Sequence, residues 1–436
     1  MSALSRPPGP ASSILTPRQV PGVEDRLAVA GLPALPRLAW LEIDVDALEA
    51  NLRTIRSVLA PGVRIAAVVK ADGYGHGLEV ASRAFVKAGA ALLCVAAFDE
   101  ALAIRAAGIA APTLVLFQPP VSCLEAAWES AIEIAVAHPA RLDELVASWR
   151  GLGVAERGGR LGVHLEIDTG LTRAGFVPER AGEAARRLHA TPGIDLAGLW
   201  THLASAPDRA VTDEQVARFR TAQAAIAAAG VPLPPRHLAA SGAIFAASAP
   251  HLEMIRPGLS LYGVLPVGFQ AASVVAGAAA ALRPAMSLKA RAIRIESVPP
   301  GQAVGYGGRW RAERPSIVAT LPVGYGDGFS YSPTGRGTAL VRGRRAPLVG
   351  SVAMDALSVD ITDMPGVTPD DEFVLLGAQG DDRIDAVELA RLRTTIPYEV
   401  VVAMARRIPR VYDSAAATLG LRTLGGETLR AEGRDT

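Results

Sequence analysis

The sequence contains few cysteines, few aromatic residues and no excess of charge of one sign. Among 436 residues, only two are cysteines and 5% are aromatic. Cys94 and Cys123 are too few for a disulfide framework, and alone they do not form a structural zinc site. Basic residues number 44 and acidic residues 43, so the formal net charge is +1. That balance predicts neither a nucleic-acid partner nor binding to an anionic membrane.

Long apolar runs are also absent. Hydrophobic residues make up 50% of the chain, but no run reaches the roughly 18 apolar residues of a transmembrane helix. Residues 27–35 are the most apolar stretch near the N-terminus, yet this stretch is short, contains Pro33 and follows two acidic residues. It does not resemble a secretory signal, so a cytoplasmic protein is expected. We predict that residues 1–36 form a disordered extension, with a docked arm as the alternative.

From residue 38 onward, short apolar segments alternate with helical segments. Strands are predicted at residues 38–45, 64–70, 91–98, 113–117, 133–137, 161–167, 196–202, 236–239 and 254–255. Most are continuous apolar runs, which is typical of parallel strands that helices cover on both faces. Eight strand–helix units predict a (β/α)8 barrel over residues 37–280, with functional residues at the C-terminal strand ends. An open doubly wound sheet is the alternative.

The pattern changes after residue 281. Alternating segments rich in Val and Ile, with turn residues between them, are typical of antiparallel strands. We therefore expect an α/β fold in which the barrel is followed by a mostly β domain over residues 281–412. The strand at 38–45 is a candidate to pair with this domain rather than with the barrel. Residues 413–436 carry no strong pattern and are predicted to be a tail.

Lys70 ends a predicted strand in the segment AVVKADGYGHG. Burial at a strand end would lower the pKa of the lysine, which suits an amine that forms a Schiff base. The glycines that follow predict a flexible loop, but the residue order of a phosphate-binding P-loop is absent. Taken alone, the segment is equally compatible with a lysine that extends to solvent before a turn.

The segment around Lys70 resembles the one that binds pyridoxal 5'-phosphate through a lysine in alanine racemases. Other segments resemble that family in the same order, namely DTGLTRAGF, THLA, IRPGLSLYG, VGYGGRW, LPVGYGDG, GSVAMD and IPYEVV. The resemblance covers residues 38–412. It implies an isomerase that interconverts L-alanine and D-alanine and supplies D-alanine for peptidoglycan. It also implies a homodimer whose active sites each join one subunit's barrel to the other's β domain.

Racemisation needs one group to remove a proton from the α-carbon and another to deliver a proton to the opposite face. The resemblance assigns these roles to Lys70 and to Tyr306 of the partner subunit. Because a tyrosine pKa near 10 is too high for a base at neutral pH, nearby positive charge must lower it. His202 and Arg256 match family residues that link this tyrosine to the cofactor ring. Arg256 would leave the ring nitrogen unprotonated, which suits a racemase better than a decarboxylase or transaminase.

The remaining site residues are also implied by the resemblance. They are Tyr74, Ser241, Gly258, Leu259 and Tyr398 for the cofactor phosphate, Arg173 and Met354 for the substrate, and Tyr325 and Asp355 at the entrance. Two positions depart from the family pattern. Ala240 replaces a common asparagine, which removes one polar contact. Glu166 stands where the family often has a carbamylated lysine, so we expect it to supply the negative charge beside Arg173 directly.

Other functions share parts of this pattern. A racemase of the same fold could act on serine or a basic amino acid, because the sequence does not fix the substrate side chain. A barrel-type decarboxylase that uses the same cofactor is less compatible, because it would need a catalytic cysteine in the β domain. Both cysteines of this chain lie in the barrel half. A small pyridoxal phosphate carrier protein would lack the β domain altogether.

Overall fold

Eight parallel strands close into a barrel in this computed structural model, which describes residues 22–431. A strand outside the barrel, β1 (Ala39–Asp44), comes first in the chain. The barrel strands are β2 (Arg64–Val68), β3 (Leu92–Val95), β4 (Thr113–Val115), β5 (Ile132–Val136), β6 (Leu161–Glu166), β7 (Ile194–Trp200), β8 (Arg236–Ala240) and β9 (Met254–Arg256). Strand β2 pairs with both β3 and β9, which closes the barrel. The predicted barrel is confirmed, and the open sheet is wrong.

Of the thirteen helices in the described residues, two precede the barrel, eight connect its strands and three follow it. They are α1 (Val23–Val29), α2 (Val45–Ser57), α3 (Lys70–Tyr74), α4 (Leu78–Lys87), α5 (Phe98–Ala106), α6 (Leu124–Glu129), α7 (Pro139–Gly151), α8 (Ala181–His189), α9 (Arg209–Ala228), α10 (Ser241–Ala246), α11 (Ala276–Ala280), α12 (Ala386–Arg393) and α13 (Pro397–Val402). In α2, the buried Leu48, Leu52 and Ile55 follow the spacing that places side chains on one helix face. None of the helices within residues 22–431 is both long and apolar enough to cross a membrane.

The C-terminal half is mostly antiparallel sheet. Its strands are β10 (Met286–Arg291), β11 (Arg294–Val298), β12 (Ala303–Val304), β13 (Trp310–Arg311), β14 (Ser316–Leu321), β15 (Thr338–Val341), β16 (Arg344–Val349), β17 (Leu357–Asp360), β18 (Glu372–Gln379), β19 (Asp382–Ile384), β20 (Arg410–Asp413), β21 (Thr418–Arg422) and β22 (Thr428–Arg430). Strand β1 lies inside this sheet, antiparallel to β10 and parallel to β20. The predicted mostly β domain after the barrel is confirmed.

The expectations for the two chain ends are wrong where the structure describes them. Helix α1 lies within the predicted disordered extension, and its Val23 and Leu27 pack against Trp40 and Leu421. The docked-arm alternative therefore fits this helix. Beyond residue 412, β21 and β22 replace the predicted tail. Both segments contact residues far away in the chain, so no local pattern reveals them. Residues 1–21 and 432–436 lie outside the described residues.

Candidate active site

A cavity of about 380 Å³ opens at the C-terminal ends of the barrel strands. Its lining includes these residues predicted for the site: Lys70, Tyr74, Arg173, His202, Ser241, Arg256, Gly258, Leu259 and Tyr398. They are far apart in the sequence, but each follows or ends a barrel strand or lies on a loop or helix beside these ends. The cavity thus lies on the face where barrels of this type carry their functional residues.

Lys70 begins α3, directly after the first barrel strand. The backbone there is left-handed at Ala71 and Asp72, with φ values of 54° and 56°. Such angles are uncommon without glycine and need support from the surrounding structure. Asp72 provides it, because its carboxylate accepts bonds from Leu78 N at 2.9 Å and from the Arg422 guanidinium at 2.5 and 2.8 Å. The turn directs the chain so that Lys70 lines the cavity.

Burial lowers the pKa of Lys70, and the positive charge of Arg173 adds to this effect. A lower pKa increases the fraction of neutral amine at a given pH. The neutral form is the nucleophile that adds to a carbonyl carbon, so the environment of Lys70 favours the chemistry expected of it.

Arg256 is buried in the barrel and held by several acceptors. Its Nη1 donates to the His237 carbonyl at 2.8 Å, and its Nη2 donates to the Thr201 carbonyl at 2.7 Å. Its Nη2 also lies 3.4 Å from Nδ1 of His202. The guanidinium carbon lies 4.7 Å from the centre of the Trp200 ring, in cation–π contact. Burial lowers the pKa of Arg256 to about 10, so the group remains a cation at neutral pH.

His202 lines the cavity next to Arg256. Burial and the Arg256 charge lower the pKa of His202 to about 3. The imidazole is therefore neutral at physiological pH, with Nδ1 facing the donor on Arg256. A neutral ring in this place can accept a hydrogen bond at one nitrogen and donate one from the other, but it adds no positive charge to the site.

Hydrogen-bond donors gather around Ser241 at one part of the cavity. The Ser241 hydroxyl oxygen accepts bonds from Gly258 N at 3.0 Å, Ser260 N at 3.2 Å and the Ser260 hydroxyl at 2.9 Å. A Cβ at Gly258 would lie 2.5 Å from the Tyr74 hydroxyl oxygen, so glycine leaves space for that hydroxyl. Burial raises the pKa of Tyr74, which keeps its hydroxyl protonated. The group suits an anion with several oxygens.

Glu166 and Arg173 face each other beside the cavity. Oε1 of Glu166 lies 3.8 Å from Nη2 of Arg173, so the carboxylate is beside Arg173, where the resemblance implies a negative charge. The other oxygen, Oε2, is buried and has no hydrogen-bond partner within residues 22–431. Burial raises the pKa of Glu166 to about 7, although the charge of Arg173 opposes this shift. Arg173 also lies over the Phe117 ring, 5.4 Å from its centre.

Four predicted residues lie on the β domain and do not line the cavity. Tyr306 is 78% exposed, Met354 53% and Tyr325 46%. Hydrogen bonds connect the loops that carry them, since Gly326 N donates to the Met354 carbonyl at 2.9 Å and the Ser351 hydroxyl donates to the Tyr306 carbonyl at 3.0 Å. Asp355 forms an ion pair with Arg407 at 2.6 Å. Within one chain, the two predicted acid–base residues therefore belong to separate groups, one in the barrel cavity and one on the exposed β domain.

Some residues that contact this site were not predicted from the sequence. Ser260 lies in the quoted segment IRPGLSLYG, and its two bonds to Ser241 make it part of the donor group. Trp200 immediately precedes the quoted THLA and packs on Arg256. For both Ser260 and Trp200, the position within or next to a family motif was the signal that could have identified the residue. Phe117 ends a predicted strand, but an isolated aromatic residue there is indistinguishable from core filler.

Two long segments of the sequence match the two domains of one family. Residues 43–266 match the family described as Alanine racemase, N-terminal domain, and residues 285–412 match Alanine racemase, C-terminal domain. This chain belongs to the alanine racemase family. It is 39% identical over 378 residues to the alanine racemase of Desulfovibrio desulfuricans, covering 86% of this chain and 98% of that protein. It is 38% identical over 393 residues to the alanine racemase of Desulfosudis oleivorans, with coverages of 87% and 98%.

Solved structures of alanine racemases have the same fold. The enzyme from E. faecalis superimposes with a TM-score of 0.80 at 30% identity, covering 86% of this chain and 98% of its own. The alanine racemase of a D-cycloserine producing Streptomyces lavendulae gives a TM-score of 0.79 at 34% identity, with coverages of 87% and 98%. The similarity extends over barrel and β domain together, so the family recognised from the motifs is confirmed.

Proposed function

We propose that this protein interconverts L-alanine and D-alanine, using pyridoxal 5'-phosphate bound in the barrel cavity. One observation carries the proposal. The cavity combines Lys70, whose amine has a lowered pKa, with the buried cation Arg256 and with the donor group around Ser241. The three occupy one cavity and match the three parts of the cofactor that need a partner, namely aldehyde, ring nitrogen and phosphate.

The cavity residues fit this cofactor. The cradle between Gly258 and Tyr74 has no room for a Cβ, and the backbone N–H groups of Gly258 and Ser260 point at the Ser241 hydroxyl. A phosphate would accept from such donors. Lys70 would hold the cofactor covalently through Nζ. Bound there, the cofactor supplies a sink for the electron pair left on the α-carbon when a proton is removed.

Arg256 decides the type of reaction that these residues favour. A guanidinium donates hydrogen bonds and does not take up a further proton. Facing the ring nitrogen, Arg256 would keep that nitrogen unprotonated and limit how strongly negative charge is withdrawn from the substrate. Reprotonation of the α-carbon then competes effectively with loss of the carboxyl group and with transfer of the amino group. This favours racemisation over decarboxylation or transamination.

The two proton transfers are assigned to Lys70 on one face of the substrate and to the partner subunit's Tyr306 on the other. The exposure of Tyr306, Tyr325 and Met354 on the β domain supports a dimer in which this surface covers the partner's cavity. Neighbouring exposed side chains of this size are typical of contact surfaces. Arg173, oriented by Glu166, and the backbone of Met354 would bind the substrate carboxylate.

The experiment is a stereochemical assay on purified holoenzyme. L-alanine, L-serine and L-lysine are incubated separately, and D-isomer formation is followed by chiral chromatography. We expect kcat/KM to be highest for alanine, and Lys70→Ala to abolish the conversion. A preference for serine or lysine would replace alanine as the substrate. No D-isomer from any of the three would overturn the proposal. Complementation of a bacterial D-alanine auxotroph would test the supply of D-alanine to peptidoglycan.

A further inference from the structure

A row of polar side chains fills part of the barrel interior behind Arg256. His237 on β8 and His164 on β6 are buried, at 0% and 1% exposure. Glu133, near the start of β5, has a side chain that is 31% exposed. Barrel interiors of this type are filled mainly by branched aliphatic side chains, so buried polar residues in this position need a physical reason. We call Glu133, His164 and His237 the lumen relay.

Hydrogen-bond distances connect the lumen relay to Arg256 without a break. Nη1 of Arg256 lies 2.8 Å from Nδ1 of His237. Nε2 of His237 lies 3.0 Å from Nδ1 of His164. Nε2 of His164 lies 2.7 Å from a carboxylate oxygen of Glu133. The row therefore runs from the active-site end of β9 to the opposite part of β5.

The direction of each bond follows from what each group can donate. A guanidinium only donates, so Nδ1 of His237 accepts and the proton of this neutral ring sits on Nε2. That proton is donated to Nδ1 of His164, which places the His164 proton on Nε2. The last proton points at the Glu133 carboxylate, which only accepts. A single pair of tautomers satisfies every contact, and it connects a cation to a carboxylate through two neutral rings.

Two glycines leave the space that the lumen relay occupies. A Cβ at Gly198 would overlap Nδ1 of His164, and a Cβ at Gly162 would lie 2.9 Å from Cγ of Glu133. Neither glycine has a left-handed backbone, so any residue could adopt these angles. Glycine matters at these two positions because it has no side chain. The space that remains is occupied by the side chains of His164 and Glu133.

Burial keeps the His237 ring neutral, because it lowers the pKa of His237 well below its usual value. The positive charges of Arg256 and Arg64 add to this effect. The Trp200 ring lies parallel to His237, with centroids 6.0 Å apart and an interplanar angle of 5°. It fixes the plane of the imidazole. His237 is thus held as an acceptor for Arg256 over the physiological pH range.

We propose that the lumen relay positions Arg256 against the cofactor ring nitrogen and partly balances its buried charge. Glu133, His164 and His237 are then positioning residues for racemisation, acting through Arg256. The proposal rests on the proposed function, because that function places Arg256 opposite the ring nitrogen. Its physical basis is that a buried cation is stable only when paired and hydrogen-bonded.

The first test reads the tautomers directly in the protein without cofactor. Isotope-labelled histidine is introduced, and the ring nitrogen resonances of His164 and His237 are assigned with His164→Gln and His237→Gln. His237 should be neutral from about pH 6 to pH 8 with its proton on Nε2, and Nδ1 of His164 should carry no proton where it accepts from His237. A protonated ring, or a proton on Nδ1 of His237, would overturn the relay. This result does not depend on activity, so it is separate from the fate of the proposed function.

The second test changes the far end of the relay. Glu133→Leu removes the acceptor, and Glu133→Gln retains an oxygen acceptor but removes the charge. We expect kcat to fall about tenfold in Glu133→Leu, with a smaller loss in Glu133→Gln and little change in KM, because outer partners of a site residue commonly contribute about that much. We also expect more pyruvate per racemisation turnover when Arg256 is misplaced. The α-proton of alanine would then be returned to the cofactor instead of the α-carbon, and water would release pyruvate and leave the amino group on the cofactor as pyridoxamine phosphate, once per bound cofactor.

Glu253→Gln is the matched control. Glu253 is a barrel carboxylate paired with Arg236, and its side chain is 43% exposed. It has no contact with Arg256 among the described hydrogen bonds, so kcat and pyruvate formation should not change. Equal losses in the Glu133 and Glu253 variants would mean a general effect on the barrel and would overturn the positioning role. If Glu133→Leu does not fold, Glu133→Gln alone provides the test. Unchanged kcat, unchanged pyruvate formation and unchanged histidine tautomers in Glu133→Gln would then also overturn the positioning role.

Discussion

Replacing Glu166 with glutamine should stabilise the protein without cofactor while impairing catalysis. The ordinary glutamate pKa of 4.5 is raised to about 7 in the folded state, mainly by burial. At about 1.4 kcal/mol per pH unit of difference, the ionised carboxylate costs the folded state about 3 kcal/mol. Glutamine has nearly the same shape and no charge, so Glu166→Gln should raise the free energy of unfolding by about that amount at about pH 8.

The pH dependence follows from the direction of the pKa change. Folding takes up protons where the unfolded carboxyl has ionised and the folded one has not, which is between pH 4.5 and about 7. Across this window the stability of the wild type falls as pH rises, relative to Glu166→Gln. Near pH 4.5 the two proteins should differ little, and above about pH 7 the difference should reach its full size.

Chemical denaturation of both proteins at several pH values measures this difference. In parallel, kcat/KM of the holoenzyme for L-alanine should rise through about pH 7 in the wild type, as Glu166 ionises and pairs with Arg173. Glu166→Gln should lack that rise and should have the lower kcat/KM at high pH. Removal of dissolved carbon dioxide should leave the wild type unchanged. A loss of stability in Glu166→Gln at high pH, or unchanged kinetics, would refute the reasoning.

Three further predictions concern the cofactor and the shared site. Borohydride reduction should link pyridoxal phosphate to the peptide containing Lys70, and Lys70→Ala should lose the visible cofactor absorbance after dialysis; label on another lysine would refute the assignment. Lys70→Ala and Tyr306→Phe should each be nearly inactive, but subunit exchange between them should restore activity, and verified exchange without recovery would exclude a shared site. Gly258→Ala should weaken cofactor affinity at least about tenfold, because its Cβ would lie 2.5 Å from the Tyr74 hydroxyl, and Tyr74→Phe in the same chain should restore part of it. Equal affinity in Gly258→Ala would contradict the cradle.

The sequence predicted the elements whose signal is local. The barrel strands are apolar runs. The charge of Glu166 beside Arg173 was expected from the family resemblance, and the two side chains lie 3.8 Å apart. The site residues gather because the ends of parallel strands meet at one face. Contacts between distant positions were not predictable in this way. Nothing near His164 indicates that His237, 73 residues later, accepts or donates a hydrogen bond to it. An isolated histidine in a strand is indistinguishable from an ordinary core residue.

The docking of helix α1 escaped prediction for a related reason. Val23 and Leu27 provide two apolar positions in a segment rich in proline and charge, which is too little for a helical pattern. Their burial depends on Trp40 and on Leu421 near the other end of the chain. Arg26 adds ion pairs with Glu42 and Asp413. Stability that comes from both chain ends together cannot be read from either end alone.

The position of β1 affects how this chain can be made and divided. On a ribosome, β1 emerges early, but its partner β10 follows about 240 residues later and β20 later still. Until then its backbone has an unpaired edge, which is a template for pairing with other chains. A fragment beginning after residue 45 would remove an inner strand from the sheet of the other half. The polypeptide also crosses between barrel and sheet twice, before α2 and before β10, and two crossings limit how far one half can turn on the other.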